Sequence, residues 1–184
     1  MPIQVKRDLY SFGKTFLIAC PQCSNRASLT NHGTTTKPNI VFSCPACSST
    51  QQWQSTYNEI RLMGSWRWVG SDGGGKAGVP APAGAGGAEV YLWVETSPDV
   101  TRKSEGPQFR LWLQSQCKQE NLWFLNREHL DFVKFYLQVP RNYRARSFDT
   151  AQSRNKIQWL EDWVKRTENK DIVLGCLAAL QTET

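Results

Sequence analysis

The sequence predicts an α+β protein whose first part is antiparallel β and whose last third is helical. Three observations predict it. Short runs rich in β-branched and aromatic residues, punctuated by Gly, Pro, Asn and Ser, recur from residue 14 to residue 126. Apolar residues at helical spacing begin only after Asn126. Between the first strands stand two C-x-x-C pairs, Cys20 with Cys23 and Cys44 with Cys47, whose turns would bring four sulfurs together at one end of a hairpin.

The strands follow in order. KTFLIA (14–19) runs into the first cysteine pair, and RASLTN (26–31) leaves it. HGTTTKPN (32–39) is a turn marked by Gly33, Pro38 and Asn39. IVFS (40–43) leads into the second pair. Residues 50–69 have strand character, with Trp53, Tyr57, Trp66, Trp68 and Val69 set among polar residues. Residues 70–88, GSDGGGKAGVPAPAGAGGA, bury too little surface to offset their ordering entropy and read as a flexible loop. Their start matches most of the phosphate-binding pattern G-x-x-x-x-G-K. Ala77 stands where that pattern needs a hydroxyl, however, and the prolines beyond it oppose a helix. The expected division is therefore a ribbon with extended strands at 1–69, the loop at 70–88, and a strand, hairpin and helical domain at 89–184.

The second part restarts with EVYLWVE (89–95), a strand. FRLWLQ (109–114) and NLWFLN (121–126) flank a short polar turn, the pattern of a β-hairpin. A helix is expected from Asn126, whose side chain can cap it, with Glu128 at its positive end. Its apolar face is Leu130, Val133, Tyr136 and Leu137, and Pro140 ends it. PRNYRARSFDTAQSRNK (140–156) reads as a basic loop. A second helix over about 155–166 turns Ile157, Leu160 and Val164 inward. Asn169 or Asp171 caps a third, with Ile172, Val173, Cys176, Leu177 and Leu180 on one face. The C-terminal part thus holds two to three helices.

The cysteine pairs carry the clearest chemistry. A C-x-x-C turn presents two thiolates to one metal, and two such turns fill a tetrahedral Zn2+ shell with no open position. The twenty residues between the pairs suit a strand, turn and strand. A thioredoxin-like redox motif would need one pair at a helix start instead. Under reducing conditions the pattern favours metal over disulfides. Cys117, in the polar hairpin turn, reads as an ordinary thiol, and Cys176 as core.

Cys20-Pro21-Gln22-Cys23 and Cys44-Pro45-Ala46-Cys47 resemble the zinc ribbons of transcription-factor type. That resemblance covers about residues 14–57. It implies a four-cysteine zinc ribbon of antiparallel strands, with the zinc cofactor held by Cys20, Cys23, Cys44 and Cys47. Ribbons of this kind bind DNA, RNA or protein, or serve structure alone. The family places glycine after each pair, and Ser24 and Ser48 stand there in this chain, which weakens the turn without removing a ligand. The C-terminal sequence FRLWLQ…NLWFLNREHLDF, with its basic loop and short helices, is similar to small bacterial zinc-ribbon proteins without known activity. It brings no catalytic residues.

The net charge is +6, and residues 1–69 hold seven Lys/Arg against two Asp/Glu. A basic surface permits nucleic-acid binding. The densest basic segment holds Arg141, Arg144, Arg146, Arg154 and Lys156 against the single carboxylate Asp149. Phosphate contact and a solvated loop that pairs with helix carboxylates fit this segment equally. Trp66 and Trp68 flank Arg67 on a strand; they could stack bases, or one could plug the core while the other covers an edge. His129 reads as a helix-face or core histidine rather than a metal ligand.

No nucleophile–base–acid set appears, so an enzyme is not expected. The leading expectation is a zinc-stabilised protein that binds nucleic acid through basic and aromatic surfaces. The alternative is a protein-binding adaptor or subunit, for example in a bacterial defence or toxin–immunity system. No run approaches the roughly 18 apolar residues that cross a bilayer, and the first twenty residues lack an export signal, so a cytoplasmic protein without a membrane partner is expected.

Overall fold

The computed structural model describes residues 9–34, 38–54, 59–63, 90–95, 107–118 and 120–181. The protein is mixed α/β: a four-stranded antiparallel sheet in the N-terminal half carries the cysteine cluster, and helices occupy the C-terminal part. Trp66, Trp68 and the glycine-rich stretch 70–88 lie outside the described residues. The chain forms two compact units, one of residues 15–123 and one of residues 1–14 with 124–184.

In the first unit, β1 (Thr15–Ala19), β2 (Arg26–Asn31), β3 (Asn39–Cys44) and β4 (Ser49–Gln54) lie side by side in chain order. Phe16 faces Leu29, and Leu29 faces Phe42. All three are buried, whereas the adjoining row of Thr15, Thr30, Val41 and Gln52 is half-buried or exposed. The period-two alternation thus becomes one apolar and one largely polar face. The turn between β2 and β3 is built on Asn31, which is buried. Its Oδ1 accepts from the amides of Gly33 at 2.9 Å and Asn39 at 3.1 Å. Those two bonds make a buried carboxamide tolerable there.

A second sheet joins β5 (Glu59–Met63), β6 (Tyr91–Glu95) and β7 (Gln108–Arg110), all antiparallel. Phe109 stacks on Phe42 with ring centroids 5.4 Å apart, and Trp53 meets it edge-on at 6.0 Å. Leu92 and Val94 of β6 and Leu111 after β7 are buried as well.

The expected hairpin arm at 109–114 is split. Residues 108–110 belong to the second sheet, and the hairpin is formed later by β8 (Leu113–Cys117) and β9 (Glu120–Phe124). Leu111, fully buried, bridges to Ile18, and the amide of Trp112 donates to the carbonyl of Leu17. The Gln114 carboxamide holds the break. It accepts from the amide of Val90 at 2.8 Å and donates to the carbonyl of Leu111 at 2.8 Å. Cys117 is buried in β8 and is not the ordinary thiol expected, because its sulfur is in a disulfide.

The second unit is built on α1 (Arg127–Gln138), which starts and stops where the sequence predicts. The Asn126 carboxamide oxygen accepts from the amide of His129 at 2.9 Å, and Leu130, Val133, Tyr136 and Leu137 are buried together with His129. A 3-10 turn at Leu9–Phe12 packs against this helix: Asn126 Nδ2 donates to the carbonyl of Phe12 at 2.6 Å.

The basic stretch is not a loop. It forms α2 (Arg141–Ser147) and α3 (Ala151–Ile157). Phe148 anchors the corner between them, buried against Phe132, Tyr136 and the edge of Phe135. Thr150 caps α3 by accepting from the amide of Ser153 at 3.1 Å. The single helix expected over 155–166 is interrupted. Trp159 and Leu160 turn into the core, and only a short α4 (Asp162–Lys165) follows. A 3-10 turn at Thr167–Asn169 leads into α5 (Lys170–Gln181), which buries Val173, Leu177 and Leu180 and packs on α1 and α4. Ile172 and Cys176, expected on the same face, are half-buried.

Candidate metal centre

Strand direction brings the cysteines together. Because β1, β2 and β3 alternate in direction, β1 and β3 run the same way and end at the same edge of the sheet. Cys20 follows the last residue of β1, Cys44 is the last residue of β3, and both C-x-x-C turns therefore project from one end. Cys20 and Cys44 are buried, Cys23 is half-buried and Cys47 is exposed.

The four sulfur atoms all lie within 4.8 Å of one another. The Cys20 and Cys47 sulfurs are 3.7 Å apart and those of Cys23 and Cys44 3.6 Å, and each of these pairs takes one sulfur from each turn. Zinc–sulfur bonds of ~2.3 Å in a tetrahedron put sulfurs about 3.8 Å apart. A disulfide requires about 2.05 Å, so these are four separate thiols spaced as a metal would need them. Four close cysteines of this kind could hold a metal ion.

Backbone amides organise the first turn. Ser24 donates its amide to the Cys20 carbonyl at 2.9 Å, and the Gln22 amide points at Cys20 Sγ at 3.4 Å. Such N–H···S bonds stabilise negative charge on sulfur. The residue after each pair is left-handed: φ is 59° at Ser24 and 56° at Ser48. These are the positions where glycine would be unstrained. Two of the thiols are shifted in opposite directions. The Cys23 thiol is lowered to about 6, chiefly by the Asn25 amide and further by the thiols around it. At Cys47 the Ser49 amide favours the thiolate, but partial desolvation at this otherwise exposed residue and the neighbouring thiols outweigh it and push Cys47 up to about 12. Four thiolates cannot share this space without a cation.

The basic residues singled out in the sequence are placed unequally. Lys156 is largely covered, donates to Glu128 Oε1 at 2.6 Å and lies over the rings of Phe12 at 5.2 Å and Phe132 at 5.7 Å. Arg144 lies over the Tyr136 ring at 4.6 Å and donates to the carbonyls of Val139 at 3.1 Å and Leu137 at 3.4 Å, at the C-terminal end of α1. Arg154 and Asp149 form an exposed ion pair at 3.8 Å. Arg141 and Arg146 are exposed and, among the described residues, their side chains have no hydrogen bond or ion pair. Two features have no clear sequence signal: the exposure of Phe135 and Tyr143, and the coverage of Lys156.

His129 is a core residue, stacked on Phe12 and edge-on to Phe124, and its Nδ1 accepts from the Leu125 amide at 3.3 Å. Among the described residues no helix is long and apolar enough to cross a membrane. Comparison with known proteins finds no matching family model, no matching curated sequence and no matching solved structure.

Proposed function

We propose that Cys20, Cys23, Cys44 and Cys47 bind one Zn2+ as a structural centre, and that the protein it stabilises binds nucleic acid. The observation that carries the metal reading is the sulfur cluster, with all four atoms within 4.8 Å of one another and two pairs at 3.6 and 3.7 Å. Four thiolates favour zinc over harder cations. They would also leave no coordination site for water or substrate, which argues for stability rather than catalysis. Metal analysis of natively purified protein tests it: one equivalent of zinc per chain is expected, and clearly less than one rejects it.

The nucleic-acid reading rests on the cationic helices α2 and α3, with Arg141 and Arg146 free to meet phosphate and Arg154 only weakly paired. Arg144 and Lys156 contribute charge but hold the fold. Binding should weaken steeply with salt, because phosphate neutralisation releases counterions. Salt-insensitive association with a protein would favour the adaptor reading instead.

A further inference from the structure

Among the described residues the large apolar side chains most open to solvent are Phe135 at 54% and Tyr143 at 56%. Both border the same basic helix. Tyr143 lies within α2, which buries none of its residues. Phe135 lies on the last turns of α1, where Phe148 from the end of α2 meets its ring at 5.5 Å. That contact props the Phe135 ring on one side and leaves more than half of the residue uncovered.

Helical spacing sets what surrounds these rings. Tyr143 and Arg146 are three residues apart and share one face of α2. Arg144 turns the other way, onto Tyr136 and the end of α1. The outward face of α2 therefore combines an aromatic ring with a cation, and Arg141, three residues before Arg144, adds an exposed cation at the start of the helix but not on that face. No acidic residue lies in α2. An apolar protein surface would not need this excess of unpaired cation, and a carboxylate-rich partner would not need the exposed rings. A single-stranded nucleic acid needs both, because its bases expose flat faces and its backbone carries regularly spaced anions. In a duplex the base faces are stacked and out of reach.

We infer that the α1–α2 corner binds single-stranded nucleic acid, with bases stacked on Phe135 and Tyr143 and phosphates on Arg141 and Arg146. This rests on the nucleic-acid reading and names the form of the ligand and the residues that hold it.

Fluorescence anisotropy with labelled oligothymidylate and a duplex of equal length tests it on the full chain, across a salt series. The single strand is expected to bind more tightly. Phe135→Ala and Tyr143→Ala should each weaken it about 5- to 100-fold while leaving the salt slope unchanged. Phe135→Trp and Tyr143→Phe keep a ring and should restore binding, which separates stacking from any loss of fold. Arg141→Ala and Arg146→Ala should each reduce the salt slope by about 0.7. Salt-dependent binding that ignores both aromatic substitutions, or that prefers duplex, overturns this inference and leaves the nucleic-acid reading standing. A wild-type protein that binds neither oligonucleotide overturns the nucleic-acid reading itself and this inference with it, and assigns the exposed rings to a protein.

Discussion

The imidazole of His129 lies flat on the ring of Phe12, with centroids 4.0 Å apart and planes 14° from parallel. The two residues are far apart in sequence, and the stack ties the 3-10 turn at Leu9–Phe12 to α1. Asn126 serves the same junction twice: its oxygen caps the helix, and its nitrogen holds the Phe12 carbonyl.

This stack makes stability sensitive to acid. Burial lowers the His129 pKa to about 3, and the nearby Lys156 charge lowers it further in the same sense; Glu128, ion-paired to that lysine, partly offsets the charge. A histidine lowered in the folded state is neutral there while the unfolded chain takes up a proton. Its contribution is therefore complete above about 6.5 and is lost as pH falls toward about 3. The cost is on the order of 1.4 kcal/mol per pH unit across that window, a few kcal/mol in all. His129→Gln should flatten the acid limb of a pH series of urea midpoints. An unchanged limb would show that other groups govern it.

Arg144 and Arg146 should separate cleanly. Arg144 satisfies two carbonyls at the end of α1 and covers the Tyr136 ring. Arg144→Ala should cost about 1–2 kcal/mol in denaturant unfolding. Arg146 is exposed, and Arg146→Ala should stay within about 0.5 kcal/mol of wild type. Equal effects would contradict the placement of the two guanidinium groups.

Ser24 and Ser48 are held at positive φ in the two cysteine turns. The left-handed conformation costs a residue with Cβ about 1–2 kcal/mol, and glycine returns part of that gain as unfolded-state entropy. Ser24→Gly and Ser48→Gly should each raise stability by roughly 0.5–1 kcal/mol. Ser24→Val, β-branched, should lower it. A stabilising valine would refute the strained-turn account.

Loss of one buried sulfur should dismantle the cluster. Cys20→Ser is expected to lose the metal and to destabilise the protein by several kcal/mol, because metal binding and folding are coupled in sites of this kind. Zinc uptake should release protons and should weaken as pH falls, since protons compete for the thiolates. Competition with a chromophoric chelator across pH measures both. Retention of a full equivalent by Cys20→Ser would remove that cysteine from the ligand set.

Local pattern alone places the four clustered cysteines, the first three strands and both ends of α1. Each depends on neighbours a few residues away: a C-x-x-C turn, a period-two alternation, an asparagine cap, a proline stop. The remaining features depend on partners distant in the chain. The run 109–114 reads as one strand, yet it breaks because Leu111 and Trp112 bond to β1, far back in sequence. The basic stretch reads as a loop, yet it is helical because Phe148 finds a pocket of aromatic rings from α1. Five cations looked equivalent. The fold uses Lys156 to cover Phe12 and Arg144 to close α1, and leaves Arg141 and Arg146 to solvent. Charge is a property of the residue, whereas its availability is set by the carbonyls, carboxylates and rings that folding brings within reach.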